Sequence, residues 1–526
     1  MQNRCQHFGD ENHPKYVFQC HSVTHVAGCI GLPTEKLCRI SIASALLLLL
    51  CGCQGLRSGS GTIQSVNHII VMTQENRSLD TYFGQLPAYW AANGFPSQQF
   101  DGLPANASNP AYNGTTTPGA ATVSAFHMAT ECMENLSPSW DESHEDWNLE
   151  DPTSSTPLMN GFVYNAAKFA IDENSGGANP PYSDTQGLRS MGYYDWTDLN
   201  YYYFMASNFA TSDRWFSPAM DRTQVNRMYL FAATSQGYAY PPGTDASDNA
   251  PLTAQTIFDA LNTVGVSWKI YATDDTCPTG VTGDATPARG LNSGVNPQAN
   301  QSASSTGYCT YLSQFKSYAP PNTLPANVVS GSQFLSDAQA GTLPSVSFIE
   351  PGYESGRDEH PSSGTNVQTG AAYVQTLIDG LMNSPSWNDS VFILTYDEAG
   401  GTYDHVPPAQ MPNPDGIAPI DLIPGDICTA SGGANCDFNY TGYRLPLIVI
   451  SPFTKKNYVS HTVADYTAML KFIETRFNVP SLTKRDAAQM DMTEFFDFQN
   501  VPWATPPTPP AQTTSGVCNS QQLGYP

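Results

Sequence analysis

Acidic, amide and imidazole side chains follow three short apolar segments of the sequence, residues 66–72, 345–349 and 390–396. Each segment is short and apolar enough to be a buried strand. In open α/β sheets, ligands bind beyond the carboxyl ends of the strands, so the side chains after these segments are expected to meet at one edge. Those side chains are Glu75, Asn76, Glu350, Asp397, Glu398, Asp404 and His405.

This set of side chains is suited to a divalent cation. Carboxylate and amide oxygens allow calcium, magnesium, manganese or iron, and a histidine ligand would admit zinc. A single acidic residue at a strand end is more often a solvated group or a helix cap, but a whole set is less easily explained in that way. We therefore expect one divalent metal ion, whose identity the residue types leave open.

The elements that must position these side chains follow from apolar periodicity. Continuous apolar runs at residues 66–72, 345–349, 390–396 and 445–450 predict buried strands. Apolar residues at helical spacing in 254–264, 371–383 and 467–477 predict helices between them. The pattern indicates an α/β fold with a mostly parallel central sheet and helices on both faces. Residues 88–122 and 278–306 are rich in Asn, Ser, Gly and Pro and are expected to be long loop insertions.

Charge excludes one class of partner. The 526 residues contain 22 Lys and Arg against 47 Asp and Glu, a formal net charge of −25. Such an excess repels nucleic acid, so we expect no nucleic-acid partner. A site that handles phosphate must then create its own positive potential, and a metal ion is the simplest means.

The amino-terminal region predicts export. Residues 40–53 form a long apolar run with basic residues before it, typical of a signal peptide. The run ends as a bacterial lipobox would, with Cys53 as the acylated residue; ordinary cleavage nearby is the alternative. We therefore expect a signal region at 1–53, with a possibly misassigned start codon, and a cell-envelope lipoprotein or a secreted protein. A tether at 54–62, a main domain at 63–500 and a Pro-rich tail at 501–526 would follow.

Export also bears on the cysteines. Six of the twelve cysteines follow Cys53, and an even number in an exported chain favours disulfides. Cys428–Cys436 and Cys277–Cys309 are the expected pairs, because each would enclose a loop rich in Gly, Ser or Asn.

Four stretches resemble the phosphoesterase family of bacterial phospholipases C and acid phosphatases. HIIVMTQENRSLDTYFG (68–84) is similar to the opening signature of that family, and FILTYDEAGGTYDHVPP (392–408) to its Asp-Glu signature. DRTQVNRMYLFAATSQG (221–237) resembles its nucleophile motif, with Arg222 in place of a proline. RLPLIVISPF (444–453), followed by SHTVADYTAMLKFIE (460–474), resembles its carboxyl-terminal signature. The four matches occur in the order of the family and imply an alkaline-phosphatase-like α/β core.

The resemblance implies a metal site and a nucleophile. Thr223 would attack phosphorus, leaving a phospho-threonine that water then hydrolyses. A free threonine hydroxyl is a weak nucleophile, and a divalent cation would lower its effective pKa. The implied metal ligands are Glu75, Asn76, Thr223, Asp397 and Glu398.

Histidines are the expected proton donors to the leaving group. His360 matches an active-site histidine of the family and is the leading candidate. His405 belongs to the Asp-His-Val motif, and a direct catalytic role and an orienting role bonded to a carboxylate remain open. We expect the substrate to contact His144, Asp404 and Glu350, of which His144 matches a His-x-x-Trp-Asn pattern of the family.

The chain also departs from the family. Pro138 stands where a histidine is expected to touch the phosphate, and residues 277–311 lack the histidines that acid phosphatases carry there. The sequence predicts a phospholipase C-like phosphoesterase acting on a phospholipid headgroup or a small phosphate ester. The alternatives are an acid phosphatase, a non-catalytic surface-binding protein on a phosphatase scaffold, and an enzyme that transfers the phosphoryl group to another acceptor. A membrane partner is expected only through the amino-terminal lipid.

Overall fold

The computed structural model describes residues 61–241, 251–273, 310–318, 325–353, 355–362, 365–429 and 432–526. The signal region with Cys53, the Cys277–Cys309 pair and the insertion at 278–306 lie outside the described residues. Within them, no helix is both long and apolar enough to span a bilayer.

The described strands are β1 (His68–Gln74), β2 (Ser108–Pro110), β3 (Thr122–Ser124), β4 (Phe126–His127), β5 (Gly192–Tyr193), β6 (Ala210–Ser212), β7 (Trp215–Phe216), β8 (Trp268–Ala272), β9 (Val328–Ser330), β10 (Val346–Glu350), β11 (Ser390–Tyr396), β12 (Ile448–Ile450), β13 (Tyr458–Ser460) and β14 (Ala464–Asp465). Eight of these strands form a central sheet with the order β13-β6-β12-β11-β1-β10-β8-β9, and the others form two-stranded pairs.

The centre of the sheet is parallel. β1 pairs in parallel with β10 on one side and with β11 on the other. β12 is the exception, because it runs antiparallel to both β11 and β6. Every residue of β1 after His68 is buried, and so is every residue of β11. Since successive side chains of a strand point to opposite faces, both faces of these strands are covered, which explains their unbroken apolar sequences.

The described helices are α1 (Leu79–Phe83), α2 (Leu86–Asn93), α3 (Trp140–Trp147), α4 (Phe162–Gly176), α5 (Asn200–Asn208), α6 (Thr223–Ala232), α7 (Ile257–Val264), α8 (Gln333–Ala340), α9 (Val367–Met382), α10 (Ala468–Phe477) and α11 (Lys484–Ala487). The predicted α/β fold with a mostly parallel central sheet is confirmed. Helix α9 begins four residues before the predicted start, because Asn366 caps it by accepting a hydrogen bond from the backbone N–H of Gln368. Residues 88–122, expected to be a loop insertion, contain the end of α2, all of β2 and the first residue of β3.

The carboxyl-terminal segment 501–526 has no regular helix or strand but is attached to the main body. The N–H of Glu131 donates to the carbonyl of Val517 over 2.7 Å, and that of Ala129 donates to Leu523 over 2.8 Å. A disulfide joins Cys132 to Cys518 across 386 residues. The expected Cys428–Cys436 disulfide is confirmed.

Removing the long-range disulfide should destabilise the protein more than removing the short one. A cross-link that closes a longer loop restricts the unfolded chain more, so the Cys132→Ser/Cys518→Ser variant should lose roughly 3–5 kcal/mol of unfolding free energy. The matched Cys428→Ser/Cys436→Ser variant, whose cysteines are 8 residues apart, should lose about 2 kcal/mol. Urea unfolding measures both losses, and an equal or reversed ranking would contradict the expectation.

Candidate active site

Thr223 is the first residue of helix α6, and the turn before it is fixed by the side chain of Asn226. The Asn226 carboxamide accepts from the N–H of Ala219 over 3.0 Å and donates to the carbonyl of Asp221 over 2.7 Å. The side chain of Arg222, at the cap position, forms no capping hydrogen bond with the α6 amino terminus, and its backbone is extended. The Thr223 side chain is therefore presented at the positive end of a helix dipole.

The strand ends bring the predicted metal ligands to this hydroxyl. Thr223 Oγ1 donates to Glu75 Oε2 over 3.1 Å and lies 3.5 Å from Asn76 Oδ1. Asn76 adopts a left-handed backbone conformation, with φ of 64°. Gly400, also left-handed with φ of 68°, lies so close that a Cβ there would be 2.6 Å from the Asn76 carbonyl oxygen. Glycine is therefore required where the loop after β11 contacts the turn after β1.

Asp397 and Glu398 complete the predicted ligand set. Asp397 Oδ1 accepts from the N–H of Asn76 over 3.1 Å and from the N–H of Glu398 over 2.8 Å. Glu398 Oε2 accepts a hydrogen bond from the N–H of Gly400. These contacts join Thr223 to Glu75 and Asn76, and Asn76 to Asp397, whereas the Glu398 carboxylate follows Asp397 in the chain and contacts Gly400.

Arg227 forms ion pairs with two of these acids, Glu75 and Asp397. Its Nη2 donates to Glu75 Oε1 over 2.9 Å and to the carbonyl of Thr73 over 3.0 Å. Its Nε lies 3.6 Å from Asp397 Oδ2. Arg227 is fully buried on the helix that begins with Thr223, so one helix supplies both the hydroxyl and the compensating charge.

Arg227 does not hydrogen-bond to every carboxylate oxygen of this group. Asp397 Oδ2 and Glu398 Oε1 are buried without a hydrogen-bond partner among the described residues. Burial, with the charge of Glu75 adding to its effect, raises the pKa of Asp397 to about 7. Burial also raises the pKa of Glu398 well above its usual range, with the charge of Asp397 adding to the rise. A divalent cation would supply the missing positive charge, and the oxygen donors present fit one.

His360 follows a buried acid that fixes its loop. Glu359 is fully buried with φ of 68°, and its carboxylate accepts hydrogen bonds from three tyrosines and a glutamine. The donors are Tyr82 Oη at 2.8 Å, Tyr202 Oη at 2.5 Å, Tyr396 Oη at 2.8 Å and Gln74 Nε2 at 3.0 Å. The sequence pattern missed this anchor, and the only available signal was a glutamate beside the candidate acid.

The His360 ring is buried and interacts electrostatically with Asp397. Its Nδ1 is buried without a hydrogen-bond partner among the residues described, and Tyr353 packs edge-on at 5.2 Å between ring centroids. Burial lowers the pKa of His360 to about 4, although the charge of Asp397 opposes that shift. At neutral pH the ring is therefore uncharged, and a phosphate anion beside it would favour protonation.

Glu350, at the end of β10, is also near the acids. It accepts a hydrogen bond from Thr310 Oγ1 over 2.9 Å. Burial raises its pKa to about 7, although the positive charge of Arg227 opposes the shift. The guanidinium of Arg227 lies 5.4 Å from the ring centroid of Tyr311, a neighbour that the sequence pattern did not identify.

His405 and Asp404 belong to a separate ionic network. His405 Nδ1 lies 2.7 Å from Asp80 Oδ2, and its Nε2 lies 3.1 Å from Asp101 Oδ1. Arg444, fully buried, donates to Asp404 Oδ1 over 2.8 Å and to Asp80 Oδ1 over 3.0 Å. Although burial opposes it, the hydrogen bond with Asp80 contributes to a raised pKa of His405. These contacts favour the orienting role for His405, and none links it to Thr223.

Ligand atoms of Asp80, Asp404 and His405 lie within 4.8 Å of one another, so a metal ion could be imagined there. Arg444 already supplies a buried positive charge to both aspartates. Arg444 thus compensates part of the negative charge, although Asp404 Oδ2 is buried without a hydrogen-bond partner among the described residues and burial raises the pKa of Asp404 to about 6.

His144 is buried in helix α3 against backbone carbonyls. Its Nδ1 lies 2.6 Å from the carbonyl oxygen of Trp140, and its Nε2 lies 3.3 Å from that of Asn435. The ring of Trp140 packs on it at 4.2 Å between centroids. Both ring nitrogens are thus directed at the backbone, which does not favour the predicted substrate contact by His144.

The segment containing Pro138 lies beside the loop after β11, which carries Asp397 and Glu398. A Cβ on Gly401 would lie 3.0 Å from the carbonyl oxygen of Ser137, the residue before Pro138. The position where the family carries a histidine therefore adjoins the loop that holds Asp397 and Glu398.

Comparison with known proteins extends this picture. A model of the phosphoesterase family matches residues 66–480. The chain is 30% identical to phospholipase C B of Mycobacterium tuberculosis, over 85% of this chain and 80% of that protein. It is 28% identical to non-specific phospholipase C1 of Arabidopsis thaliana, over 83% of this chain and 72% of that protein. A solved alkaline phosphatase superfamily protein of Vibrio parahaemolyticus, 13% identical over 78% of each chain, has a TM-score of 0.28, too low to support an argument.

Acid should destabilise the fold through His144. Burial lowers its pKa from 6.5 to about 4, so between these values the unfolded chain binds a proton that the folded chain does not. Unfolding free energy therefore falls as pH falls through this window. The His144→Gln variant lacks this titration, so its deficit relative to the parent should shrink by roughly 2–3 kcal/mol between neutral pH and pH 4.

Urea unfolding across that pH range measures the effect. The matched control is Trp147→Phe, because Trp147 is a buried residue without an ionisable group on the same helix, and its pH profile should parallel that of the parent. A parallel profile for His144→Gln as well would contradict the expectation.

Proposed function

The chain belongs to the phosphoesterase family and is a phosphoric ester hydrolase, and we propose that it cleaves phosphodiesters of phospholipid-headgroup type with Thr223 as the nucleophile. One observation carries the proposal. The Thr223 hydroxyl, at the start of α6, lies 3.1 Å from Glu75 Oε2. The buried carboxylates around it include two oxygens without a hydrogen-bond partner in the part of the chain that the structure describes. A hydroxyl placed among hard oxygen donors at a helix amino terminus is suited to attack on a phosphoryl group.

We further propose that the enzyme depends on one divalent metal ion of undetermined identity. The residues that would hold it are Glu75, Asn76, Thr223, Asp397 and Glu398. When bound, the cation supplies positive charge that lowers the pKa of the nucleophile and neutralises the phosphoryl oxygens. Arg227 retains its ion pairs with Glu75 and Asp397 and so holds two of the ligands in place.

The reaction proceeds in two displacements on phosphorus. Thr223 Oγ1 gives its proton to Glu75 Oε2, 3.1 Å away, and bonds to phosphorus, while the bond from phosphorus to the leaving alcohol oxygen breaks. The alcohol leaves with a proton, for which His360 is the proposed donor once the phosphate anion has favoured its charged form. Water then attacks the phospho-threonine, releasing the phosphorylated headgroup and restoring the hydroxyl. Glu350 and Arg222 are proposed to border the substrate, because both interact electrostatically with the acidic group.

The preference for a diester rests on two features. First, the relatives carry the name phospholipase C. Second, the proposed nucleophile is a threonine, as in the phospholipase branch that the sequence resembles, whereas the acid phosphatase branch has a serine there. Hydrolysis of phosphomonoesters is the alternative. The non-catalytic scaffold considered from the sequence does not fit, since the family and its ester-hydrolysing relatives make the chain an enzyme.

We also propose that the protein is exported and anchored by a lipid on Cys53. The support is the apolar run at 40–53 and the cysteine that ends it. After expression in a bacterial host, detergent phase partitioning tests the lipid. The full chain should enter the detergent phase and the Cys53→Ser variant the aqueous phase. Equal partitioning of the two would contradict the lipid proposal.

Hydrolysis of p-nitrophenylphosphorylcholine beside p-nitrophenyl phosphate, from pH 4 to 9, tests the enzyme proposal. Chelator should abolish turnover, added dication should restore it, and Thr223→Ala should lower kcat by about 10³-fold or more. Thr223→Ser is the matched control, since it keeps a hydroxyl and should retain measurable turnover.

The outcomes separate the alternatives. A higher kcat/KM for the choline diester would support the phospholipase C-like proposal, and a higher value for the monoester would replace it with the acid phosphatase. Full activity of Thr223→Ala would overturn the nucleophile assignment. Diversion of the product to an added alcohol or glycan would reveal transfer to another acceptor.

A further inference from the structure

A second group of ionisable side chains lies around His127. Strand β4 pairs in parallel with β5, and the turn after β5 carries Asp195 and Asp198. His127 Nε2 lies 2.7 Å from Asp198 Oδ2 and 3.8 Å from Asp195 Oδ1. Ligand atoms of these three residues lie within 4.8 Å of one another. Together with Glu131 they are called the His127 cluster below.

Glu131 gives this cluster a feature that a surface acidic patch lacks. The residue is 6% exposed, and its Oε2 has no hydrogen-bond partner among the described residues. Its carboxyl is close enough to that of Asp198 for the two to share a proton, and it interacts electrostatically with His127 and Asp195. The unpartnered buried carboxylate is therefore directed into the cluster.

The backbone holds Glu131 in this position. Its N–H donates to the carbonyl of Val517 over 2.7 Å, and its carbonyl accepts from the N–H of Val367 over 3.1 Å. Gly516 packs so closely that a Cβ there would lie 2.1 Å from Glu131 Cγ. The neighbouring Cys132–Cys518 disulfide fixes the same contact covalently. Glu131 thus cannot turn outward to solvent without moving the carboxyl-terminal segment.

Charge in the His127 cluster is unbalanced. It contains three carboxylates and one imidazole, and no Lys or Arg of the described ranges forms an ion pair with any of them. Backbone and hydroxyl donors satisfy part of the set: Asp198 Oδ2 accepts from the N–H of Asp195, and Asp195 Oδ1 accepts from the N–H and Oγ1 of Thr197. Burying the remaining negative charge without a partner is costly, so a proton or a cation must compensate it.

We propose that the His127 cluster is a second divalent-cation site, separate from the group around Thr223, with His127, Glu131, Asp195 and Asp198 as its ligands. One imidazole nitrogen with carboxylate oxygens is a donor set for a transition-metal dication such as Mn²⁺ or Zn²⁺ rather than for Mg²⁺, which keeps to oxygen. Bound there, the cation joins the β4–β5 turns to the carboxyl-terminal segment through Glu131. Its role is structural, and it stabilises the attachment of residues 501–526.

Metal content measured with matched variants tests the site. The full chain is stripped with chelator, dialysed against MnCl₂ or ZnCl₂ at neutral pH, and analysed for bound metal per chain. The parent should bind two equivalents, and the Asp198→Asn and Glu131→Gln variants one each. Asp397→Asn, which disables the other site, should also bind one, and the Asp198→Asn/Asp397→Asn double variant none. Asp172→Asn, in a helical ion pair with Lys168, is the control and should bind two.

Thermal unfolding and turnover supply independent readouts. Added Mn²⁺ or Zn²⁺ should raise the Tm of the Asp397→Asn protein and should fail to raise that of the double variant. Asp198→Asn should keep the parental kcat on p-nitrophenylphosphorylcholine, so failure of this site and failure of the proposed catalysis are separable. Unchanged metal content in both Asp198→Asn and Glu131→Gln would overturn the proposal, and a higher Tm of Glu131→Gln without metal would assign the cluster to a shared proton.

Discussion

The active-site geometry depends on the burial of three carboxylates, two of which are paired with Arg227. β1 and β11 run in parallel with Gln74 beside Tyr396, so the next residues of the two strands, Glu75 and Asp397, emerge side by side. Their like charges repel each other, and burial strengthens that repulsion because little water screens it. Arg227 offsets part of the repulsion. Burial raises the pKa of Asp397 to about 7, with the charge of Glu75 adding to the rise and that of Arg227 opposing it.

The two acidic groups at the sheet edge differ in how they are paired with arginine. Arg444 donates a hydrogen bond to each of Asp80 and Asp404, and His405 contacts Asp80. In the other group Arg227 donates to Glu75, whereas its Nε lies 3.6 Å from Asp397 Oδ2. Asp404 Oδ2, Asp397 Oδ2 and Glu398 Oε1 are all buried without a hydrogen-bond partner among the described residues. We propose the metal site at Asp397 and Glu398 because two of these oxygens lie there on adjacent residues, and such buried atoms call for a partner.

Two buried histidines show that contacts, and not burial, separate the expected roles of the two side chains. His144 and His360 both have a pKa lowered to about 4 by burial. The nitrogens of His144 face two backbone carbonyls, which favours a packing role. His360 Nδ1 has no hydrogen-bond partner among the described residues, and the ring interacts with Asp397. Its position follows from Glu359, whose four side-chain donors hold the loop.

The sequence by itself determined the elements whose signals are local. Unbroken apolar runs predicted β1, β10 and β11, because strands covered on both faces carry no polar alternation. The acids after these runs could be expected at one edge, because parallel strands end there together. The Cys428–Cys436 disulfide was predictable because its signal is also local: the two cysteines are only 8 residues apart.

Tertiary structure alone decided which distant residues meet. The Cys132–Cys518 disulfide, the tyrosines around Glu359 and the His127 cluster join residues far apart in the sequence. No periodicity encodes such contacts, because they arise from how loops and helices pack over the sheet. The same packing directed His144 toward backbone carbonyls and bound His405 to Asp80, whereas residue type alone allowed each of them a place at the substrate.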